Sequence, residues 1–260
     1  MKNNPGDKPQ EAWQPLPNVA PDNLKNRTLF YLRLFLDLEV FTTYWDVRKA
    51  AKRFKGNVLE IGCGLQPYRH LMPEDARYHA LDWEGSCKCF HYTSKEVTYY
   101  DGGIFPFKDS AFNFIFHTEV LEHVFDIKQF LSECHRVLPK GGEMVFTIPF
   151  AARYHYIPND YWRLTPAAAE KLLEGSGFER IVVSPRGNDI AVAVSKLNAV
   201  FYRIIMKKFD NIILKILNTV FFGSIFSIPI FCLTIIGHLS ILFKVGSPND
   251  PLGYTITCRR

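Results

Sequence analysis

Val58-Leu59-Glu60-Ile61-Gly62-Cys63-Gly64 is the stretch that decides the fold class. A short apolar run carrying one carboxylate reads as a strand buried in a parallel sheet. Two glycines directly after it let the backbone turn sharply and approach a ligand with no Cβ in the way. Such a loop is of the nucleotide-cofactor type. A second short strand, Arg77-Tyr78-His79-Ala80-Leu81-Asp82, ends in a carboxylate 18 residues beyond Gly64. An open α/β sheet holds a ribose through its hydroxyls at that place. A complete dinucleotide fingerprint needs glycine at position 67, where Pro67 stands, so a nicotinamide cofactor is disfavoured.

Glu60, Gly62 and Gly64 match the Glu-x-Gly-x-Gly first motif of the class I S-adenosylmethionine (SAM) dependent methyltransferases, and here the chain resembles that family. The likeness is of the type 11 kind and covers Asn57 to Pro149. Tyr99-Tyr100-Asp101-Gly102 and the following Phe105 to Phe112 resemble the family segment that carries an adenine-binding acid into strand four. Phe112 to His117 with Thr118-Glu119-Val120-Leu121-Glu122-His123-Val124 is similar to the strand end and helix beside the cofactor. The helix Asp126 to Leu138, Pro139-Lys140-Gly141-Gly142 and the strand Glu143 to Pro149 resemble the surroundings of strand five. Asn113 and Gln66 depart from the family pattern, which usually has an aspartate and a third glycine there. The resemblance implies SAM as cofactor. Glu60, Gly62, Cys63 and Gly64 would shape its methionine end, Asp82 with Trp83 would take the ribose, Asp101 and Gly102 the adenine, and His117 and Glu119 would flank it.

The chain has 260 residues, 47% of them hydrophobic and 15% aromatic, enough for one full α/β core with additions. No secretory signal is read at the start, so the core is expected in the cytoplasm. Cysteines 63, 87, 89, 134, 232 and 258 fall singly rather than in a disulfide framework and are expected reduced. Cys87-Lys88-Cys89-Phe90-His91 supplies three metal ligands at most, with a spacing unlike ordinary zinc sites, so no metal is expected.

Met1 to Asn23 is rich in Pro, Asn and charge and reads as a mobile arm. Leu24 to Phe54 shows a helical pattern, with Leu29, Leu32, Leu36, Val40 and Tyr44 on one face. By resemblance such a leading helix caps the substrate side; by pattern alone it equally well only covers the sheet.

Past strand five, Arg153 to Thr165 is dense in polar chemistry and falls over the crevice at the carboxyl end of the sheet. His155, Pro158, Asp160, Tyr161, Trp162, Arg163 and Thr165 resemble a His-x-x-Pro-x-Asp-Tyr-Trp-Arg-x-Thr pattern of a methyltransferase subgroup associated with bacterial cell-surface glycan pathways. His155 and Asp160 are candidate bases for an acceptor hydroxyl, and Arg163 can hold an anionic group. Tyr161 and Trp162 are further acceptor contacts. The plainer reading is that Tyr161, Trp162 and Arg163 pack in a loop before a helix capped by Thr165. His123 is a competing base, and transfer to an already nucleophilic atom needs none.

Phe178 to Ser184 reads as strand six and Gly253 to Arg259 as strand seven, which in the family inserts antiparallel between strands five and six. Between them, Lys196 to Lys215 reads as a basic amphipathic helix. From Ile216 to Phe243 there is no formally charged residue apart from His238, long enough to enter a bilayer. A single crossing would part strand seven from its sheet. Gly223 and Gly237, with Pro229 between them, allow a broken or re-entrant helical hairpin that dips into one leaflet and returns. From Lys196 onward eight Lys or Arg face two Asp, a net of +6 against +5 for the whole chain. That surplus suits an anionic leaflet; the alternative is a homodimer interface.

The expected architecture is α/β, a Rossmann-like seven-stranded methyltransferase sheet with strand seven antiparallel and an apolar helical insertion between strands six and seven. Its parts are an arm (1–23), a helical cap (24–54), the SAM-binding core (55–189), the insertion (190–248) and the final strand (249–260). The expected function is methyl transfer from SAM to a small or lipid-linked acceptor, a saccharide or polyprenyl-type molecule. It would act at the inner membrane face, held peripherally or monotopically through residues 196–245, with no nucleic acid as partner. A soluble methyltransferase that dimerises through the insertion and a non-catalytic SAM-fold membrane adaptor are the alternatives.

Overall fold

The computed structural model describes residues 18–86, 94–207 and 209–260. Seven strands form one sheet: β1 (Gly56–Ile61), β2 (Ala76–Trp83), β3 (Val97–Tyr100), β4 (Phe114–Thr118), β5 (Glu143–Pro149), β6 (Glu179–Arg186) and β7 (Gly253–Arg259). Their order is β3-β2-β1-β4-β5-β7-β6. The first five run parallel. β7 lies antiparallel to both β5 and β6, so the expected sheet and the place of its last strand are as read from the sequence.

Alternation along β1 builds a core on each face. Leu59 and Ile61 join Phe130, Leu131 and Leu173 in one cluster, while Val58 joins Phe30, Tyr44, Val47, Phe54, Phe116 and Val145 in the other. The first is roofed by α3 (Ile127–Val137) and α4 (Pro166–Gly175), capped by Asp126 and Thr165, whose side-chain oxygens accept from Gln129 N and Ala168 N. The second is roofed by two helices, α1 (Leu24–Leu36) and α2 (Leu38–Ala51). The single helical stretch expected over 24–54 breaks at Asp37, whose extended backbone ends α1 and whose carboxylate caps the Glu39 and Val40 amides. Ahead of it, Val19 forms an isolated parallel bridge with Leu65, which ties the end of the expected arm to the glycine loop. Residues 1–17 of the arm, and Cys87 to His91, lie outside the described residues.

The insertion consists of α5 (Asp189–Ile205) and α6 (Ile212–Leu242). Two expectations are corrected here. The basic helix over 196–215 does not form as one element, because α5 ends at Ile205 and α6 begins at Ile212. The apolar run does not break at Gly223 or Pro229, since α6 runs through both for 31 residues, about 46 Å. Asn side chains set the turn where it is. Asn211 caps the Ile213 and Leu214 amides, and Asn218 donates to the Ile204 and Ile205 carbonyls at 3.0 Å each, closing the open end of α5.

Along α6 burial is uneven. Ile230, Thr234, Gly237 and Ser240 form a buried stripe at helical spacing, whereas no residue from Ile212 to Pro229 is buried. Gly237 sits so close to α2 that a Cβ there would stand 2.4 Å from Leu38 Cδ1. The far half carries Ile213 at 63% exposure, Val220 at 64% and Ile228 at 71%, apolar surface on a helix that core packing does not cover.

Candidate active site

All loops of interest leave the carboxyl ends of parallel strands. After β1, Gly62 and Gly64 have φ of +65° and +53°, which side chains with a Cβ rarely adopt. A Cβ on Gly62 would also meet Val120 Cγ2 at 2.3 Å. The Gly62 amide donates to Leu81 O at 2.8 Å, and the Gly64 amide donates to Asp82 Oδ2 at 3.0 Å. The glycine loop and the Asp82 carboxylate are thereby one rigid unit. Cys63 packs with Ala80 and Val97 and turns its side chain away from solvent. Glu60 is buried and accepts from the Tyr78 hydroxyl; burial pushes its carboxyl up to about 8, against the effect of that hydrogen bond.

At the next strand ends, the Trp83 indole N–H donates to Asp101 O at 3.2 Å, and Gly102, with φ +96°, lies against the same ring. The Asp101 carboxylate accepts from Gly103 N at 2.9 Å and is exposed. Trp83, Asp101 and Gly102 thus form one side of the crevice whose other side is the glycine loop. His117 is elsewhere. It has no exposed surface, stacks on Phe146 at 4.6 Å and meets Phe130 edge-on, with no hydrogen bond to either ring nitrogen. Burial lowers its pKa to about 3. A side chain without exposed surface touches no ligand entering from solvent, so the expected contact at His117 is corrected to a core position.

Glu119 follows β4 with φ +52° and accepts from Arg186 at 2.6 Å. Arg186, on the last residue of β6, is fully buried and also donates to Thr42, Thr43 and the Glu39 carbonyl at the start of α2. Sequence reading missed it. It lies two residues past the expected end of strand six, and a lone arginine next to Gly187 gives no periodic signal.

Two residues past Glu119 a 3-10 turn, Leu121–His123, meets the loop after β5. The Tyr161 amide donates to Glu122 O at 2.7 Å and the Trp162 indole to Val124 O at 2.9 Å. Arg163 grips Asp160 with two nitrogens at 2.7 and 2.8 Å, a fork-on-carboxylate pair. Asp160 also accepts from the His155 amide at 2.9 Å. Burial by itself would raise the Asp160 pKa, but the hydrogen bonds from Arg163 and the His155 backbone hold it below the ordinary carboxylate range. Both Asp160 carboxylate oxygens are thus engaged within the loop. The Tyr161, Trp162 and Arg163 side chains strap this loop down while the two rings remain partly exposed.

His123 and His155 face each other with ring centroids 4.9 Å apart. His123 Nδ1 lies 2.5 Å from the Asn159 carbonyl, and His155 Nδ1 lies 2.9 Å from the Arg153 carbonyl. Carbonyls only accept, so each Nδ1 carries the proton. Burial lowers the His123 pKa to about 4. Beside them the fully buried Glu122 has no hydrogen bond to either carboxylate oxygen; burial, with the Glu119 charge adding, raises its pKa well above the ordinary range. Glu122 belongs in this cluster and was not singled out from the sequence, although it sits in the quoted Glu119 to His123 stretch.

Residues 59–146 match the methyltransferase-domain family. That stretch is similar to a methyltransferase domain, and the sheet around it has the class I fold. A curated relative, a probable S-adenosylmethionine-dependent methyltransferase of Mycolicibacterium smegmatis, is 30% identical over 155 residues, 52% of this chain. The chain spans 60% of that relative's length. A crystal structure of a SAM-dependent methyltransferase from Archaeoglobus fulgidus superposes with a TM-score of 0.51 at 18% identity, covering 90% of this chain and 99% of that one. A phosphoethanolamine N-methyltransferase of Haemonchus contortus, solved with S-adenosyl-L-methionine, has a TM-score of 0.47 at 15% identity over 92% of this chain and 59% of its own. The cofactor of a methyltransferase domain of this class is SAM, and the left-handed glycines, the anchored Asp82 and the Trp83–Asp101 wall fit it.

Proposed function

We propose that this protein transfers a methyl group from SAM to a hydroxyl on a lipid-linked acceptor, of saccharide or polyprenyl type, at the cytoplasmic face of a membrane. Bound SAM supplies a methyl group on a positively charged sulfur, which leaves as the neutral thioether once the methyl has gone. Gly62 and Gly64 allow the cofactor's methionine end to approach the backbone, with Glu60 behind them. Asp82 takes the ribose hydroxyls, and Asp101 with Gly102 and Trp83 takes the adenine. Arg186 holds Glu119 at the crevice edge and ties it to α2.

The acceptor side is the Glu122–His123–His155 cluster, reached between the two strapped loops. His123 and His155 present Nε2 lone pairs to an acceptor hydroxyl and draw on its proton. Asp160 orients His155, while Tyr161 and Trp162 line the approach and Arg163, paired with Asp160, holds the loop that carries them.

The lipid part of the proposal is carried by one observation, the uncovered apolar half of α6. An apolar groove of about 620 Å³ between α1, α2 and α6, lined by Tyr31, Phe35, Phe41, Trp45 and Ile235, adds to it. The α5–α6 hairpin leaves and re-enters the domain on the same side, so β7 stays in its sheet whether or not the hairpin dips into one leaflet. Lys207, Lys215 and Arg203 at its tip are exposed and suit anionic headgroups.

The test incubates the purified full chain with methyl-labelled SAM and a membrane-containing lysate, followed by organic extraction. Protein-dependent label in the organic phase is the expected result, lost with Asp82→Ala. Label confined to water would keep methyl transfer and remove the lipid acceptor.

A further inference from the structure

We propose that Glu122, His123 and His155 form a binding site for one divalent first-row transition ion, placed to take the acceptor's oxygen as a further ligand. The proposal rests on the methyltransferase reading for its role, though not for its existence. One potential ligand atom from each of the three residues lies within 4.8 Å of the other two, and His123 Nε2 stands 3.6 Å from Glu122 Oε1. Ligands at about 2.1 Å from a shared ion stand roughly 3 to 4 Å apart, so small side-chain rotations close the set.

Three features separate this cluster from a chance meeting of polar residues. The Glu122 carboxylate has no exposed surface and no hydrogen bond to either oxygen, and His123 Nε2 is likewise buried without a partner. Buried acceptors without donors are costly, and a cation is the one partner that satisfies a carboxylate and two imidazole lone pairs together. Each imidazole is also oriented from behind. His123 Nδ1–H points to the Asn159 carbonyl, and His155 Nδ1–H to the Arg153 carbonyl with Asp160 at 3.0 Å. Supports of this kind fix the tautomer that ligates through Nε2. The nearby Arg163 does not oppose a cation, because Asp160 neutralises it in a two-pronged pair.

Two imidazoles and one carboxylate suit an ion of the zinc, manganese or iron(II) class and leave coordination positions open. An acceptor hydroxyl bound there becomes more acidic. With both imidazoles on the ion in place of the base role given them above, the hydroxyl proton leaves to solvent water, an oxygen lone pair forms the bond to the methyl carbon, and the broken carbon–sulfur bond leaves its pair on sulfur.

The test uses the full chain freed of metal by chelation and titrated with Co²⁺ alone, followed by the visible ligand-field absorption. Saturation at one equivalent is expected. Affinity should fall at least tenfold in Glu122→Gln, which preserves side-chain shape, and in His155→Ala, but not in His135→Ala, a histidine on α3 away from the cluster. Absent saturable binding, or equal affinity in the Glu122→Gln and His155→Ala variants, would overturn the site. SAM binding by the same metal-free samples, measured by calorimetry, judges the methyltransferase reading separately.

Discussion

Arg186 Nη2 donates to Glu119 Oε1 at 2.6 Å, although one ends β6, the other follows β4, and 67 positions separate them. The guanidinium has no exposed surface, so its charge depends on Glu119 and on the α2 acceptors for compensation. Removing one partner of such a pair leaves the other uncompensated. Arg186→Ala should lower the unfolding free energy by about 3 kcal/mol and weaken SAM binding, because Glu119 loses its anchor. Denaturant titration and calorimetry of the same variant check both. An unchanged midpoint would show that the pair contributes nothing.

Gly62→Ala tests the glycine loop. The φ of +65° and the approach of Val120 make a Cβ unwelcome on two counts. A loss of about 1 to 3 kcal/mol is expected, together with weakened SAM binding. Gly141, which also has positive φ but open space around it, should give a smaller loss when changed to Ala, from backbone strain only.

His117 gives a pH prediction with a definite sign. Its folded-state pKa of about 3 lies below the ordinary 6.5, so below pH 6.5 the unfolded chain takes up a proton that the folded chain refuses. Stability is therefore lost as pH falls from 6.5 toward 3, with a limiting slope of about 1.4 kcal/mol per pH unit from this group. His117→Phe removes two unpartnered nitrogens from an aromatic site. It should raise stability at neutral pH by about 1 kcal/mol and flatten the acid limb. Thermal unfolding from pH 4 to 7 separates it from the parent.

The uncovered half of α6 predicts vesicle binding. Ile213, Phe221 and Ile228 are all more than half exposed, so replacing them with Glu should leave the fold intact. Each contributes about 1.5 to 3 kcal/mol if it enters the acyl region. The triple variant should lose flotation with anionic vesicles by more than tenfold. Equal flotation would assign this surface to a partner copy, readable as a dimer by sedimentation.

Much of this was legible in the sequence because the constraints are local. Two glycines after an apolar run demand a tight turn, and Asp82 follows at the next strand end; the contacts at Gly62, Gly64 and Asp82 agree with that reading. Arg186 was not legible, since its role arises from α2, β4 and β6 meeting in space. Nor was the break at 206–211. Gly223 and Pro229 are stronger intrinsic breakers, yet Asn211 and Asn218 close both helix ends at the turn, and Pro229 lies in a stretch of α6 where no residue from 212 to 229 is buried. His117 was placed beside the cofactor by resemblance, which carries no account of which way its ring points; the ring packs against Phe130 and Phe146.

The central claim, that this crevice binds SAM through Asp82, is tested most directly by calorimetric titration of SAM into the full chain and into Asp82→Ala. The carboxylate is fixed by the Gly64 and Trp83 amides, and losing its charged hydrogen bonds should weaken binding by about 1.5 to 3 kcal/mol, read as a ten- to hundredfold rise in Kd. Equal affinity in the two proteins would remove Asp82 from the site, and no binding by the parent chain would contradict the account itself.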